Sequence, residues 1–163
     1  MTPATRVLDE HGIEYEVRTY AVGDSGGEAA RDIGRGAADA LGLDHDRVLK
    51  TLLVDVDGGA AGRDPVVAVI PVGATLSMKA LAEAVGAKRA TMCDPRRAER
   101  TTGYVVGGIS PLGQRRRLST VVDASASALD VVHVSGGRRG LEISLAPGDL
   151  IGLLGAIVAT VTA

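Results

Sequence analysis

The run Val48-Leu49-Lys50-Thr51-Leu52-Leu53-Val54-Asp55-Val56 leads through Asp57-Gly58-Gly59 to a second run, Val66-Val67-Ala68-Val69-Ile70. Both runs are rich in β-branched residues and flank turn-forming ones, so they predict a β-hairpin with its tip near Ala60-Ala61-Gly62. Side chains alternate along a strand, so Val48, Lys50, Leu52, Val54 and Val56 share one face. Lys50 interrupts an otherwise apolar row. An ammonium there must either reach water along its stem or be aimed into a pocket, where it could hold a carbonyl or phosphate oxygen.

The elements on either side extend the pattern. Thr2-Pro3 is a helix start, with a cap residue followed by proline in the first turn, and Gly12 ends that helix after about His11. Tyr15, Val17 and Thr19 alternate with Glu14, Glu16 and Arg18, which predicts a half-exposed strand. Residues 23–36 hold five glycines and read as a loop entering a short helix that closes at Leu41-Gly42. Downstream, Ser77 caps a helix in which Met78, Leu81, Ala82 and Val85 recur at helical spacing up to Gly86. Asp94-Pro95 opens another. Strands are expected at Thr120–Asp123, Val131–Ser135 and Leu141–Leu145, and a last helix near Pro147 to Asp149. Many short strands with interspersed helices predict an α+β fold: a mixed, curved, barrel-like sheet surrounded by helices, in a single domain over residues 1–163.

With no Phe and no Trp, the core must be built from Val, Leu, Ile and Ala. A chain of 163 residues can bury such a core without cross-links. The one cysteine, Cys93, excludes an internal disulfide and fits a reducing compartment. The N-terminal residues do not read as a signal peptide, and the apolar stretch from Leu150 to Val161 is broken by Gly152 and Gly155 and is too short to span a bilayer. The expectation is a cytoplasmic protein without membrane contact. The net charge of −2 conceals an asymmetry: residues 1–85 carry 8 basic and 14 acidic side chains, whereas residues 86–140 carry 10 basic and 4 acidic. Arg96, Arg97, Arg115, Arg116, Arg117, Arg138 and Arg139 fall in the basic section and mark a possible footprint for a polyanion.

Gly23-Asp24-Ser25-Gly26-Gly27 spells the nucleophile signature of trypsin-like proteases. It is rejected here, because the only upstream histidine, His11, ends a predicted helix and the double-barrel fold needs a longer chain. His11, His45, His133 and Cys93 have no metal-ligand spacing, so no metal or cofactor is expected. Two glycine-rich segments do carry chemistry. Gly103-Tyr104-Val105-Val106-Gly107-Gly108-Ile109-Ser110-Pro111-Leu112-Gly113 lets backbone approach a ligand, and its N–H groups could bind an oxyanion. Ser135-Gly136-Gly137-Arg138-Arg139-Gly140 offers a hydroxyl, backbone donors and two cations.

Together with Lys50-Thr51-Leu52-Leu53-Val54, these segments resemble the YbaK/EbsC family, free-standing relatives of the editing domain inserted in bacterial prolyl-tRNA synthetases. The likeness covers nearly the whole chain, including Met1-Thr2-Pro3-Ala4, Thr19-Tyr20 and Arg139-Gly140-Leu141, and is nearest to the subgroup that removes cysteine from tRNA(Pro). The resemblance implies a deacylase without metal or protein nucleophile. Lys50 would orient the ester end of the substrate. Tyr20, Ile33, Thr51, Gly107, Gly108, Ile109, Ser110, Ser135, Gly136, Gly137 and Glu142 would line the pocket. Arg115, Arg116, Arg117, Arg138 and Arg139 are the expected tRNA contacts. The substrate's own thiol would attack its ester carbonyl. Ile33 stands where the subgroup often has Phe, and Glu142 where Asp is usual. The implied partners are tRNA(Pro) charged with cysteine and, transiently, prolyl-tRNA synthetase, rather than DNA or a membrane. Two other readings stay open at this point: an alanyl-tRNA(Pro) deacylase, and a non-catalytic module that holds aminoacyl-tRNA or a synthetase.

Overall fold

A computed structural model describes residues 1–22, 33–59 and 62–163. The protease-like letters and Ala60-Ala61 lie outside these residues. The chain folds as α1 (Pro3–Glu10), β1 (Glu16–Thr19), α2 (Ile33–Leu41), β2 (Leu49–Asp57), β3 (Val66–Pro71), α3 (Met78–Ala84), β4 (Arg89–Met92), α4 (Pro95–Thr102), β5 (Thr120–Asp123), α5 (Ala124–Ser127), β6 (Val132–Ser135), β7 (Leu141–Leu145), α6 (Pro147–Leu154) and β8 (Ile157–Ala159). One sheet has the order β4-β2-β3-β5-β8, the other β1-β7-β6. The hairpin forms as expected, with Lys50 opposite Ile70 and Val54 opposite Val66. β3 pairs antiparallel with β2 and parallel with β5, so the sheet is mixed.

The helix boundaries follow local chemistry. Thr2 caps α1 by accepting the Thr5 N–H, and the Thr5 side chain returns the bond to the Thr2 backbone, a capping box. Ser77 and Asp94 cap α3 and α4 through their side chains. Gly103 closes α4 at φ +82°, a backbone conformation that costs glycine little. α2 begins at Ile33, inside the stretch expected to be loop. Two strands, β4 and β8, were not expected from the sequence.

β3 is buried along its whole length because both faces of the large sheet are covered. On one side Leu49, Leu53, Val67 and Val69 meet the small sheet's Val132, Val134, Ile143 and Leu145, with Leu8 of α1 and Leu150 of α6. On the other, Val54, Val66, Ala68 and Ile70 pack on Leu81 of α3 and on Val161. A third cluster joins Ala38 of α2 to Val48 and Val72. Each of the larger fully buried side chains contributes roughly 1.5–3 kcal/mol of apolar transfer. Among the described residues, no helix is long and apolar enough to cross a membrane.

Candidate active site

The two sheets are joined where Val48 forms a parallel bridge with His133 and the His133 N–H donates to the Arg47 carbonyl at 2.9 Å. Beyond that bridge they separate. On the same edge of β2 the next strand contacts come from the Cys93 N–H to the Leu53 carbonyl and from β4, which pairs from Val54 onward. Residues 49–52 therefore carry no strand on that edge among the described residues.

Strand alternation decides which side chains share a face here. Val48 and His133, as bridge partners, lie on one side. Two residues further along each strand are Lys50 and Ser135. Ser135 is the cross-strand partner of Glu142, and Glu142 is the partner of Arg18. Lys50, Ser135 and Glu142 thus belong to one face, with Tyr20 just past β1. Thr51 alternates to the other face with Leu49 and Leu53, and its buried Oγ1 has no hydrogen-bond partner among the described residues. α2 crosses over the Lys50 end of β2: a Cβ at Gly34 would lie 2.6 Å from Val72 Cγ1 and 4.0 Å from Lys50 Cβ. That places the start of α2 beside the Lys50 end of β2.

Glu142 dominates the electrostatics. It is 5% exposed, its Oε2 has no hydrogen-bond partner among the described residues, and burial pushes its carboxyl up to about 8. At neutral pH it is mostly a neutral acid. Its cross-strand neighbour Arg18 turns away, donating to Ser144 Oγ at 3.1 Å and to Glu16 at 3.4 Å. Tyr20 is half-buried, and its phenol is raised first by burial and then by the Glu142 charge. The Tyr20 N–H donates to the Gly140 carbonyl at 3.0 Å, which ties β1 to the second glycine segment. His133 is buried beside Ser144, with Nδ1 and Oγ 2.6 Å apart. Burial first, and then the Arg18 and Arg47 charges, hold its imidazole below the usual range, so it is neutral at pH 7.

The two glycine segments pack directly on each other. A Cβ at Gly108 would come within 2.8–2.9 Å of the Arg138 and Arg139 backbone, so only glycine permits this approach. Gly137, at φ +103°, lies against the Tyr104 ring and Thr2. The Thr2 hydroxyl donates to the Gly136 carbonyl at 2.5 Å. Tyr104 is buried, donates its hydroxyl to the Leu112 carbonyl at 2.6 Å and has its ionisation pushed up to about 12 by burial. The Val106 peptide groups are gripped from both directions. The Val106 N–H donates to Glu99 Oε2 at 2.9 Å, and Arg139 donates from Nε and Nη2 to the Val106 carbonyl at 3.1 and 2.8 Å.

Several N–H groups of these segments are engaged internally. Gly108 donates to the Val105 carbonyl, Gly136 to the Leu141 carbonyl and Gly137 to Ser135 Oγ. Ser110 is fully buried, and its Oγ accepts the Leu112 N–H at 3.2 Å. Ile109 packs against the main core. Strand alternation therefore puts Lys50, Ser135 and Glu142 on one face, with Tyr20 just past β1, whereas the side chains of Ser110, Ile109 and Thr51 serve the interior. Arg115, Arg116 and Arg117 are exposed, with Arg116 paired to Asp64 at 3.1 Å. Arg97, by contrast, is held by Asp55 and by the Arg63 carbonyl. Glu99 and Tyr104 escaped the sequence reading as site residues, because neither lies at a spacing that announces its partner. Among the described residues, no group of three or more His, Cys, Asp or Glu side chains could hold a metal ion.

The model of the aminoacyl-tRNA editing domain family matches residues 28–153, and the chain belongs to that family. A protein of Enterococcus faecalis strain V583, provisionally named Cys-tRNA(Pro)/Cys-tRNA(Cys) deacylase EbsC, is 34% identical over 161 residues, covering 99% of this chain and 93% of that protein. A crystal structure described provisionally as a trans-editing enzyme for prolyl tRNA synthetase superposes with TM-score 0.80 at 20% identity, covering 100% of this chain and 99% of that one. A hypothetical protein of known structure superposes with TM-score 0.82 at 24% identity and 99% coverage of both chains. These two structural likenesses establish the fold.

Proposed function

We propose that the chain is a trans-editing hydrolase that removes cysteine from Cys-tRNA(Pro), with Lys50 orienting the ester and the substrate supplying its own nucleophile. The observation that supports this reading is strand alternation across the Val48–His133 bridge, which puts Lys50 on the same face as Ser135 and the buried acid Glu142. The name of the Enterococcus relative supports the same substrate. In this reading the cysteine Sγ attacks its own ester carbonyl carbon, the bond from that carbon to the ribose oxygen breaks, and the thiol proton passes to the ribose oxygen. The released thiolactone then hydrolyses in water. An intramolecular nucleophile already has a high effective concentration, so the protein need only fix geometry and stabilise the developing oxyanion. Alanine and proline lack the thiol and escape. Tyr20, Ser135 and the Gly107 backbone line the acyl pocket. Exposed arginines of the basic section, Arg115 and Arg117 among them, meet tRNA phosphates, and prolyl-tRNA synthetase is a transient partner.

The test is incubation with labelled Cys-tRNA(Pro) and Ala-tRNA(Pro) under single-turnover conditions. Faster release of cysteine is expected. Equal rates, or a preference for alanine, would remove the thiol-assisted mechanism, and no release of either amino acid would leave only a binding role.

A further inference from the structure

Arg139 belongs to the pair of arginines that the basic section offers to a polyanion, yet its guanidinium, though exposed, is engaged on the backbone. Nε and Nη2 both reach the Val106 carbonyl oxygen, at 3.1 and 2.8 Å. That carbonyl and the Gly107 N–H belong to the same peptide unit. Among the described residues no peptide bond is cis, and a planar trans unit points its C=O and N–H in opposite directions. Fixing the Val106 oxygen therefore fixes the Gly107 N–H on the side away from Arg139. The Gly107 N–H has no hydrogen-bond partner among the described residues, although its neighbour Gly108 donates to the Val105 carbonyl. Gly107 is half-buried and sits at φ +89°, a conformation that few other residues adopt without strain. Glu99 holds the preceding peptide unit by accepting the Val106 N–H at 2.9 Å, so rotation of this backbone is opposed at both ends.

We infer that Arg139 is a positioning residue: by gripping the Val106 carbonyl it holds the Gly107 N–H as an oriented donor for the oxyanion formed at the substrate's ester carbon. The inference rests on the proposed deacylase reading. Two charge-assisted bonds to the carbonyl also polarise the peptide unit and strengthen the N–H as a donor. No reorganisation is then needed as negative charge develops, which is the condition under which such donors are most effective. The arrangement explains why a cation lies beside a glycine loop without making that loop a phosphate site.

The experiment compares wild type, Arg139→Ala and Arg139→Lys in single-turnover deacylation of Cys-tRNA(Pro) across a salt series. It is paired with amide NMR of the Gly107 resonance in the substrate-free protein. Removing a whole oxyanion donor costs about 10²–10³ in rate, so a misaligned one should cost roughly 10–100-fold. The expected result is that loss in the chemical step for Arg139→Ala, with KM and its salt dependence unchanged. Arg139→Lys should recover part of the rate, and the Gly107 amide signal should move in Arg139→Ala while that of Gly12 stays in place. A raised KM with a shallower salt slope and an intact chemical step would make Arg139 a phosphate contact and overturn the inference. An unmoved Gly107 signal would overturn it too. If wild type releases no cysteine, the proposed function fails, and the Gly107 response alone then decides the orientation.

Discussion

Replacing Glu142 by glutamine should flatten a pH dependence of stability that the fold builds in. The carboxyl is buried and pushed up to about 8, against an ordinary value near 4.5. Below about pH 4.5 both folded and unfolded chains hold the proton, and the acid costs the fold nothing by ionising. As pH rises, the unfolded chain ionises first and is favoured, so stability falls by about 1.4 kcal/mol per pH unit until the folded carboxyl itself ionises near pH 8. Across the 3.5 units between the two values the loss is roughly 5 kcal/mol, a large part of the 5–15 kcal/mol typical of a domain. The assay is urea unfolding followed by circular dichroism for wild type and Glu142→Gln from pH 4 to 9. Protein concentration should be kept low near the isoelectric point of 5.9. The difference between the two proteins isolates this one group. It should shift steadily in favour of glutamine between about pH 4.5 and 8 and be level outside that window. A difference that stays constant across the window would show that Glu142 ionises in the fold, and would refute the account of its burial.

Lys50→Ala should lower single-turnover deacylation by at least about a hundredfold, the scale of losing one oxyanion-type donor. Its melting temperature should change little, because a half-buried charge is removed from an apolar row. Retained activity would detach Lys50 from the chemistry. Gly108→Ala forces a Cβ to within 2.8–2.9 Å of the Arg138 and Arg139 backbone, which should cost about 1–3 kcal/mol of overpacking, read as a fall in melting temperature. Gly36→Ala, in α2 with open space around it, should be neutral or stabilising by up to about 1 kcal/mol. The reverse order of those two melting temperatures would contradict the packing of the glycine segments.

The hairpin, the capped starts of α1, α3 and α4, and the strands at Thr120–Asp123 and Leu141–Leu145 were legible because each is written in local chemistry: β-branched runs, cap residues and closing glycines. β4 was not, since it is a four-residue edge strand whose Arg89, Thr91 and Met92 are exposed and give no alternation. β8 hid in the apolar stretch that follows Leu150, where only the left-handed Gly155 separates helix from strand. Of the proposed site, Lys50 was visible as a charge in an apolar row. The role inferred for Arg139 was not, because its hydrogen-bond partner lies 33 residues away and an Arg-Arg pair on a loop reads most simply as a contact for nucleic acid. Thr51 adjoins Lys50 in sequence, but the strand's alternation sends its side chain to the opposite face.

The small sheet places its earliest strand, β1, against one of its latest, β7, so that Arg18 reaches Ser144 across 126 positions of chain. Lys50 stands near the start of β2, whereas Glu142, Ser135 and the second glycine segment belong to the final third of the molecule. During synthesis, β1 and β2 leave the ribosome long before β7, which pairs with β1, has been made, and closing so long a loop is the slow part of assembly. In the proposed reading, a protein that proofreads the raw material of translation has no working site until its own translation is nearly finished, and a chain cut short before β7 would carry Lys50 without Glu142.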